Sequence, residues 1–283
     1  MRSRRTPSIY KTPSQLRDMV GPGLATAASL DAVAAIIAPG VTTLELDTAA
    51  REAIEAAGGH PNFVLEEGYH HTICASINDE VVHGIPGERI VRAGDTVSID
   101  SGAIMTGSDG SGWNGDAART FVVPDDSDPD RIASRRELSS VTEGALWHGI
   151  ACLAQCRYLN DVGGAIEDFI RSQGNYGVIT DYIGHGIGRS MHEDPPVYNF
   201  RVRGKGPEVR PGLVIAIEPM VVRGDQDTYV KDDGWTVATR DGLDAAHWEH
   251  SVAVHEGGLW VLTSDDGGAA GLAPFGVVPV PIQ

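Results

Sequence analysis

Apolar residues recur at three- and four-residue steps along residues 12–36, through Leu16, Met19, Val20 and Leu24, and this period predicts a helix opened by Thr12-Pro13. Gly21-Pro22-Gly23 interrupts the pattern and marks its weakest point. Residues 39–59 read as a turn and then a helix, with Leu46, Ala50 and Ile54 on one face and Gly58-Gly59 as the stop. The pattern then shortens to alternating and continuously apolar runs, "ICASINDEVVHGIPG", "DTVSIDSGAIM" and "ARTFVV", which predict strands. Helical spacing returns over residues 135–156 and 159–175, the latter with Val162, Ile166 and Ile170 on one face and Gly174 behind them. Those positions lie 116 residues after Leu46, Ala50, Ile54 and Gly58. Strand patterns follow again in "GLVIAIEPMVV", "GWTVATRDG" and "WEHSVAVHEGGLWVLT". The order helix, helix, strands thus occurs twice. It predicts an α+β protein of two related halves with a site between them. The Gly/Pro-rich segment 264–283 predicts irregular structure.

Composition narrows the function. Lys and Arg number 22 against 39 Asp and Glu, a net charge of −17, which argues against the basic footprint of a nucleic-acid binder. The basic "RSRR" at 2–5 is not followed by an apolar run, so it reads as a solvated arm rather than a secretory leader. The longest apolar run, residues 32–38, is too short to cross a bilayer. A soluble cytoplasmic protein with no membrane partner is expected. Three cysteines, Cys74, Cys152 and Cys156, are too few for a disulfide framework, and Cys152 and Cys156 read as small buried residues on one helix face.

The chemistry concentrates in "GHGIGRSMHEDPP", residues 184–196. Its glycines and prolines exclude a helical histidine pair and the H-E-x-x-H zinc helix. The segment reads as extended chain that bends, so that His185 and His192 point into one space. Asp100 lies inside an apolar strand, Asp116 just before another, Glu218 on a strand stopped by Pro219, and Glu249 at the start of a fourth. Each alone is more often a strand-end surface carboxylate. Four of them with one imidazole suit divalent Mn, Co, Fe or Zn. Such a set can hold two ions about 3.5–4 Å apart, as two-metal hydrolases require.

The stretches "CASINDEVVHGIPG", "GDTVSIDSGA", "WNGDAARTF", "GHGIGRSMHEDP", "PGLVIAIEPM" and "KDDGWTVATRDG…AHWEHSVAV", in this order over residues 12–262, resemble the type I methionine aminopeptidases of the pita-bread creatinase/aminopeptidase superfamily, peptidase family M24. The resemblance implies two pseudo-symmetric halves around a curved antiparallel sheet. It implies one catalytic domain, with a flexible arm at 1–11, a core at 12–262 and a tail at 263–283. It implies five ligands for two divalent ions: Asp100, Asp116, His185, Glu218 and Glu249, with Asp116 and Glu249 bridging. His83 and His192 match the non-ligand catalytic histidines, and Glu218 the proton shuttle. Tyr69, Cys74 and Trp235 match residues of the methionine pocket. The implied reaction removes the initiator methionine from peptides and nascent chains with a small second residue. The implied enzyme is a monomer, with the ribosome as a candidate docking partner.

The chain departs from that pattern in places. Residues 107–111, "GSDGS", lengthen the step from Asp100 to Asp116 and read as an inserted hairpin tip. Asn114 stands where the family has His, Glu66 where an aromatic is common, Met191 where Phe is common, and His247-Trp248 where Gln and an aromatic are usual. Glu66 and Met191 leave open a changed first-residue preference. The alternatives are an Xaa-Pro peptidase with the same metals, a silent or retuned relative, and a non-enzymatic binding module.

Overall fold

The structure is a computed structural model that describes residues 8–283. The basic run at 2–5 lies outside the described residues. Three helices lead the chain: α1 (Pro13–Asp18), α2 (Val20–Ile36) and α3 (Thr43–Ala56). The sequence reading places one weakened helix over 12–36. The break instead falls at Met19, and Gly21-Pro22-Gly23 sits in the first turn of α2, where the N–H that proline lacks has no intrahelical partner anyway. Thr12 and Thr42 each close a reciprocal capping box, with Gln15 and Glu45. Together α1 and α2 are long and apolar enough to cross a membrane by composition, but half of that stretch is buried, with α2 packed on α3 and on the strands below.

Those strands are β1 (His60–Pro61), β2 (Ile73–Ile77), β3 (Glu80–Val82), β4 (Thr96–Thr106) and β5 (Gly112–Val122). β5 begins six residues before "ARTFVV", so Asp116 sits within the strand rather than ahead of it. The long β4–β5 hairpin keeps its register from Thr96–Val122 out to Thr106–Gly112, and the 107–111 insertion forms its tip.

The second half opens with α4 (Pro129–Leu153) and α5 (Asn160–Gln173), which pack on each other. It continues through β6 (Gly177–Val178), β7 (Gly184–Gly186), β8 (Glu193–Val197), β9 (Val214–Ile217), β10 (Met220–Val222), β11 (Thr228–Val230), β12 (Val237–Thr239), β13 (Ala245–His247), β14 (His250–His255) and β15 (Gly258–Val261). All pairings are antiparallel. One sheet runs β15-β14-β9-β7-β8, another pairs β4 with β1, β2 and β5, and two three-stranded ribbons, β13-β10-β6 and β11-β12-β3, complete the set.

The predicted faces of α3 and α5 are equally buried: Leu46, Ala50, Ile54, Val162, Ile166 and Ile170 are fully enclosed. One apolar core lies between α2–α3 and β2–β4, a second between α4–α5 and β9, β10 and β14. The halves are stitched by backbone. Ala118 of β5 exchanges both hydrogen bonds with Glu249, and Ser251 Oγ donates to the Asp116 carbonyl while accepting from its N–H.

Described residues on both sides of the 12–262 span pack against the core. Tyr10 bridges Leu213, and the Lys11 ammonium pairs with Glu193 at 2.6 Å. A short helix, α6 (Ala269–Leu272), buries Leu272, and the Val280 N–H returns to the Leu259 carbonyl. Cys152 lies in the last turn of α4 and Cys156 just beyond it; all three cysteines are free thiols.

Candidate metal centre and adjoining pocket

The two halves meet around a cavity of about 220 Å³ lined by Asp100, Asp116, His185, Glu218 and Glu249, with His83, His192 and His247 beside them. Each side chain arrives from a different pairing. Cys74 and Ala118 stand opposite Asp100 across β4, and Gly102 stands opposite Asp116. Opposed residues, and residues two apart, share a face. Cys74, Asp100 and Asp116 therefore project together. Glu218 leaves the end of β9 at Pro219, its carbonyl held by the Asn199 amide. Glu249 sits between β13 and β14, at the β5 junction.

His185 is delivered by β7, which is squeezed between neighbours. A Cβ at Gly186 would stand 2.1 Å from the Asp194 carbonyl oxygen, and one at Gly184 2.4 Å from that of Ala216. Only glycine on both sides lets this strand enter the sheet and aim its imidazole inward. The chain then bends through 187–192 and returns as β8, so that the His185 and His192 rings meet at 4.4 Å between centroids. The bend is held by Asn114, whose side-chain amide donates to the carbonyls of Gly188 and Arg189.

His185 Nδ1 faces the Gly186 carbonyl at 3.0 Å, so Nδ1 carries the proton and donates. Nε2 is left with a bare lone pair, 3.4 Å from Glu218 Oε1 and 3.8 Å from Asp116 Oδ2. Donor atoms of Asp116, His185 and Glu249 lie within 4.8 Å of one another, and so do those of Glu218, His247 and Glu249. Asp100 joins neither triad, although it lines the same cavity and its charge raises the pKa of Asp116, Glu218 and Glu249.

The electrostatics call for a cation. Burial pushes the Asp100 carboxyl up to about 7. Burial first, and then the neighbouring carboxylates, push Asp116, Glu218 and Glu249 well above the usual carboxylate range. Two like charges about 4 Å apart repel by about 4 kcal/mol at an effective dielectric of 20. Among the described residues, no lysine or arginine lines the cavity to relieve this. Buried oxygens Asp100 Oδ1, Asp116 Oδ1 and Glu249 Oε1 have no hydrogen-bond partner. Unpartnered buried carboxylate oxygens around a bare imidazole nitrogen are the donor set of a hard to borderline divalent cation, so the residues fit such a group.

The histidines around the centre are neutral near pH 7. Burial and then the His192 charge lower His83 and His185 to about 4, and burial lowers His192 against the opposing pull of Glu66. His83 follows β3 at φ +61°, a left-handed conformation costly for a residue with a side chain. Gly84 then runs so close to β2 that a Cβ would stand 2.3 Å from the Ala75 carbonyl oxygen. The His83 ring packs edge-on against Tyr182.

Beside the carboxylates lies an apolar pocket of Phe63, Tyr69, Cys74 and Met191, closed by Ile85 and Trp235. The Tyr69 hydroxyl donates to the Ile73 carbonyl, and its ring meets those of Phe63 and Trp235 edge-on. Met191 is inside this pocket. Glu66 is exposed and lines the same cavity, where its charge acts on His192. The sequence reading did not assign Phe63, Tyr182 or His247 to the site. For His247 a signal existed: it lies two residues before Glu249, the spacing that shares a face in extended chain.

The model of metallopeptidase family M24 matches residues 22–256. Methionine aminopeptidase 1 of Mycobacterium tuberculosis is 45% identical over 259 residues, covering 89% of this chain and 94% of that protein. The crystal structure of a methionine aminopeptidase from Thermotoga maritima superposes with TM-score 0.82 at 38% identity, over 90% of this chain and 99% of that one. The prolidase of Pyrococcus furiosus shares the fold, with TM-score 0.67 and 20% identity, but only 65% of its length is matched.

Proposed function

The chain belongs to metallopeptidase family M24, and from that premise we propose that it is a metal-dependent aminopeptidase that removes N-terminal methionine from peptides with a small second residue. The observation that carries the reading is the adjacency of two parts. Four carboxylates and His185 line the cavity, and an apolar cluster of Phe63, Tyr69, Cys74, Met191 and Trp235 lines the same cavity beside them. The slot suits an unbranched thioether, because its lining is apolar and the polar atoms of Tyr69 are turned onto backbone.

Asp100, Asp116, His185, Glu218 and Glu249 are proposed to hold two divalent ions, Co, Mn, Fe or Zn. Bound there, such ions would anchor a free α-amine and supply a nucleophilic water near neutral pH. The protein's own part is proton handling and placement. Glu218 takes a proton from the attacking water and returns it to the departing amine. His192, neutral and carrying an N–H, donates to the oxyanion that develops at the first peptide carbonyl. His83, which lines the same cavity, holds the substrate backbone next to the leaving nitrogen. Trp235 and Tyr69 close the slot on the methionine side chain. An internal peptide bond has no free amine to place at the carboxylate end, which accounts for exopeptidase behaviour. Nascent chains are the proposed natural substrate, met in the cytoplasm by a monomer.

The test is peptide turnover by metal-free protein with each divalent metal added back, on Met-Gly-X, Met-Pro-X, Ala-Pro-X and Leu-Gly-X peptides. Metal-dependent release of methionine from the first two supports the proposal. Release from Ala-Pro-X instead would place the activity in the Xaa-Pro class. Asp116→Ala should lose metal and activity together; activity that survives it would sink the two-metal reading.

A further inference from the structure

We infer that His247 is a second imidazole donor of the metal centre, facing His185 across the Glu218 carboxylate. The inference rests on the metal-centre reading above and adds a sixth side chain to it.

His247 is 1% exposed, and its Nε2 is a buried nitrogen with no hydrogen-bond partner. That nitrogen stands 3.8 Å from Glu218 Oε2, and the atoms of Glu218, His247 and Glu249 lie within 4.8 Å of one another. The arrangement mirrors the other side, where His185 Nε2 stands 3.4 Å from Glu218 Oε1. One carboxylate therefore presents each of its oxygens to a different imidazole nitrogen. The spacings on the two sides match those of donor atoms gathered around a shared cation.

The main chain that carries the ring is held in place. The His247 backbone N–H donates to Thr120 Oγ1, and the Thr120 hydroxyl donates back to the His247 carbonyl. On one side β13 pairs His247 with Met220, and the next residue, Trp248, anchors its indole N–H on Ser139. A buried imidazole nitrogen left unpaired costs about 1–3 kcal/mol. Coordination removes that cost and places one imidazole on each side of the carboxylate cluster.

The experiment is a Co(II) titration of the metal-free protein, read by proton NMR for hyperfine-shifted exchangeable imidazole N–H signals and by equilibrium dialysis for affinity. Wild-type protein should show two such signals, and His185→Gln and His247→Gln one each. His247→Gln should also weaken one of the two Co(II) sites by about 100-fold or more, the upper end of what losing an outer-shell partner costs. A single shifted signal in the wild type, or unchanged signals and affinity in His247→Gln, would overturn the inference. The wild-type count decides the matter even if a variant fails to fold. Absence of any Co(II) binding by the wild type would instead overturn the metal-centre reading itself.

Discussion

Removing metal from this protein should make its stability fall as pH rises through neutrality, and Asp100 sets a magnitude. Its carboxyl rises from 3.8 to about 7 because burial disfavours the charged form. The folded metal-free state therefore holds a proton that the unfolded chain has released above pH 4. Where the folded state binds more protons than the unfolded one, stability falls with pH. For Asp100 that loss runs from about pH 4 to about pH 7 and amounts to about 4 kcal/mol. Asp116, Glu218 and Glu249, raised well above the usual carboxylate range by burial and then by their neighbours' charge, add to the loss in the same direction. The buried histidines act with the opposite sign. His83 and His185 sit at about 4 in the folded state against 6.5 unfolded, so their contribution rises with pH through that window and is flat above it. Above pH 7 the slope therefore belongs to the carboxylates. The assay is urea or thermal unfolding of chelator-treated protein between pH 6 and 9, with and without Mn²⁺. The metal-free protein should lose stability across this range while the loaded protein holds it. Asp100→Asn, a neutral isostere, should be more stable than wild type at pH 8 without metal, by up to about 4 kcal/mol or roughly 10 °C in Tm. It should be less stable than wild type once metal is added. A metal-free wild type with a flat profile from pH 6 to 9, or an Asp100→Asn variant no more stable than wild type at pH 8, would refute the argument that these carboxylates are crowded and uncompensated.

Gly186→Ala places a Cβ 2.1 Å from the Asp194 carbonyl oxygen, so β7 must shift; stability should fall by about 2 kcal/mol or more and bound metal should be lost with it, measured by urea titration and metal analysis. Ser251→Ala strands the buried Asp116 N–H and should cost about 1–3 kcal/mol of stability while weakening metal affinity. Asn114→Ala releases the Arg189 carbonyl and leaves the Gly188 carbonyl only the backbone N–H of residue 114, so the bend that carries His192 loosens; kcat on a Met-Gly-X peptide should fall more than KM rises. Cys74→Leu overfills the apolar slot and should raise KM for methionine peptides more than for peptides with a smaller first residue.

Local pattern made much of this molecule legible. The apolar faces of α3 and α5, 116 residues apart, are read from spacing alone, because an amphipathic helix states its buried side every three or four residues. The chemical types of the donors and the bend through 187–192 follow from Asp, Glu, His and Gly at given positions. The limits of β5 and the break at Met19 were less legible. Strand length depends on a partner strand, and a proline in a first helical turn is tolerated only once the turn is known to begin there.

Which residues meet in space is a matter of the assembled fold. Glu249 reaches the cavity because its backbone pairs with Ala118, more than a hundred residues earlier. No period along the chain reports that pairing. The glycines around His185 signal tight packing, but that the obstructing groups are the Ala216 and Asp194 carbonyls emerges only when β7 is placed in its sheet. His247 is ordinary in sequence and becomes a donor to the centre because β13 turns its unpaired nitrogen toward Glu218. The sequence by itself determined the inventory of ligand types and the faces that bury. Long-range strand pairing decided which of those ligands face one another, because a strand's partners are chosen by global packing rather than by its neighbours in the chain.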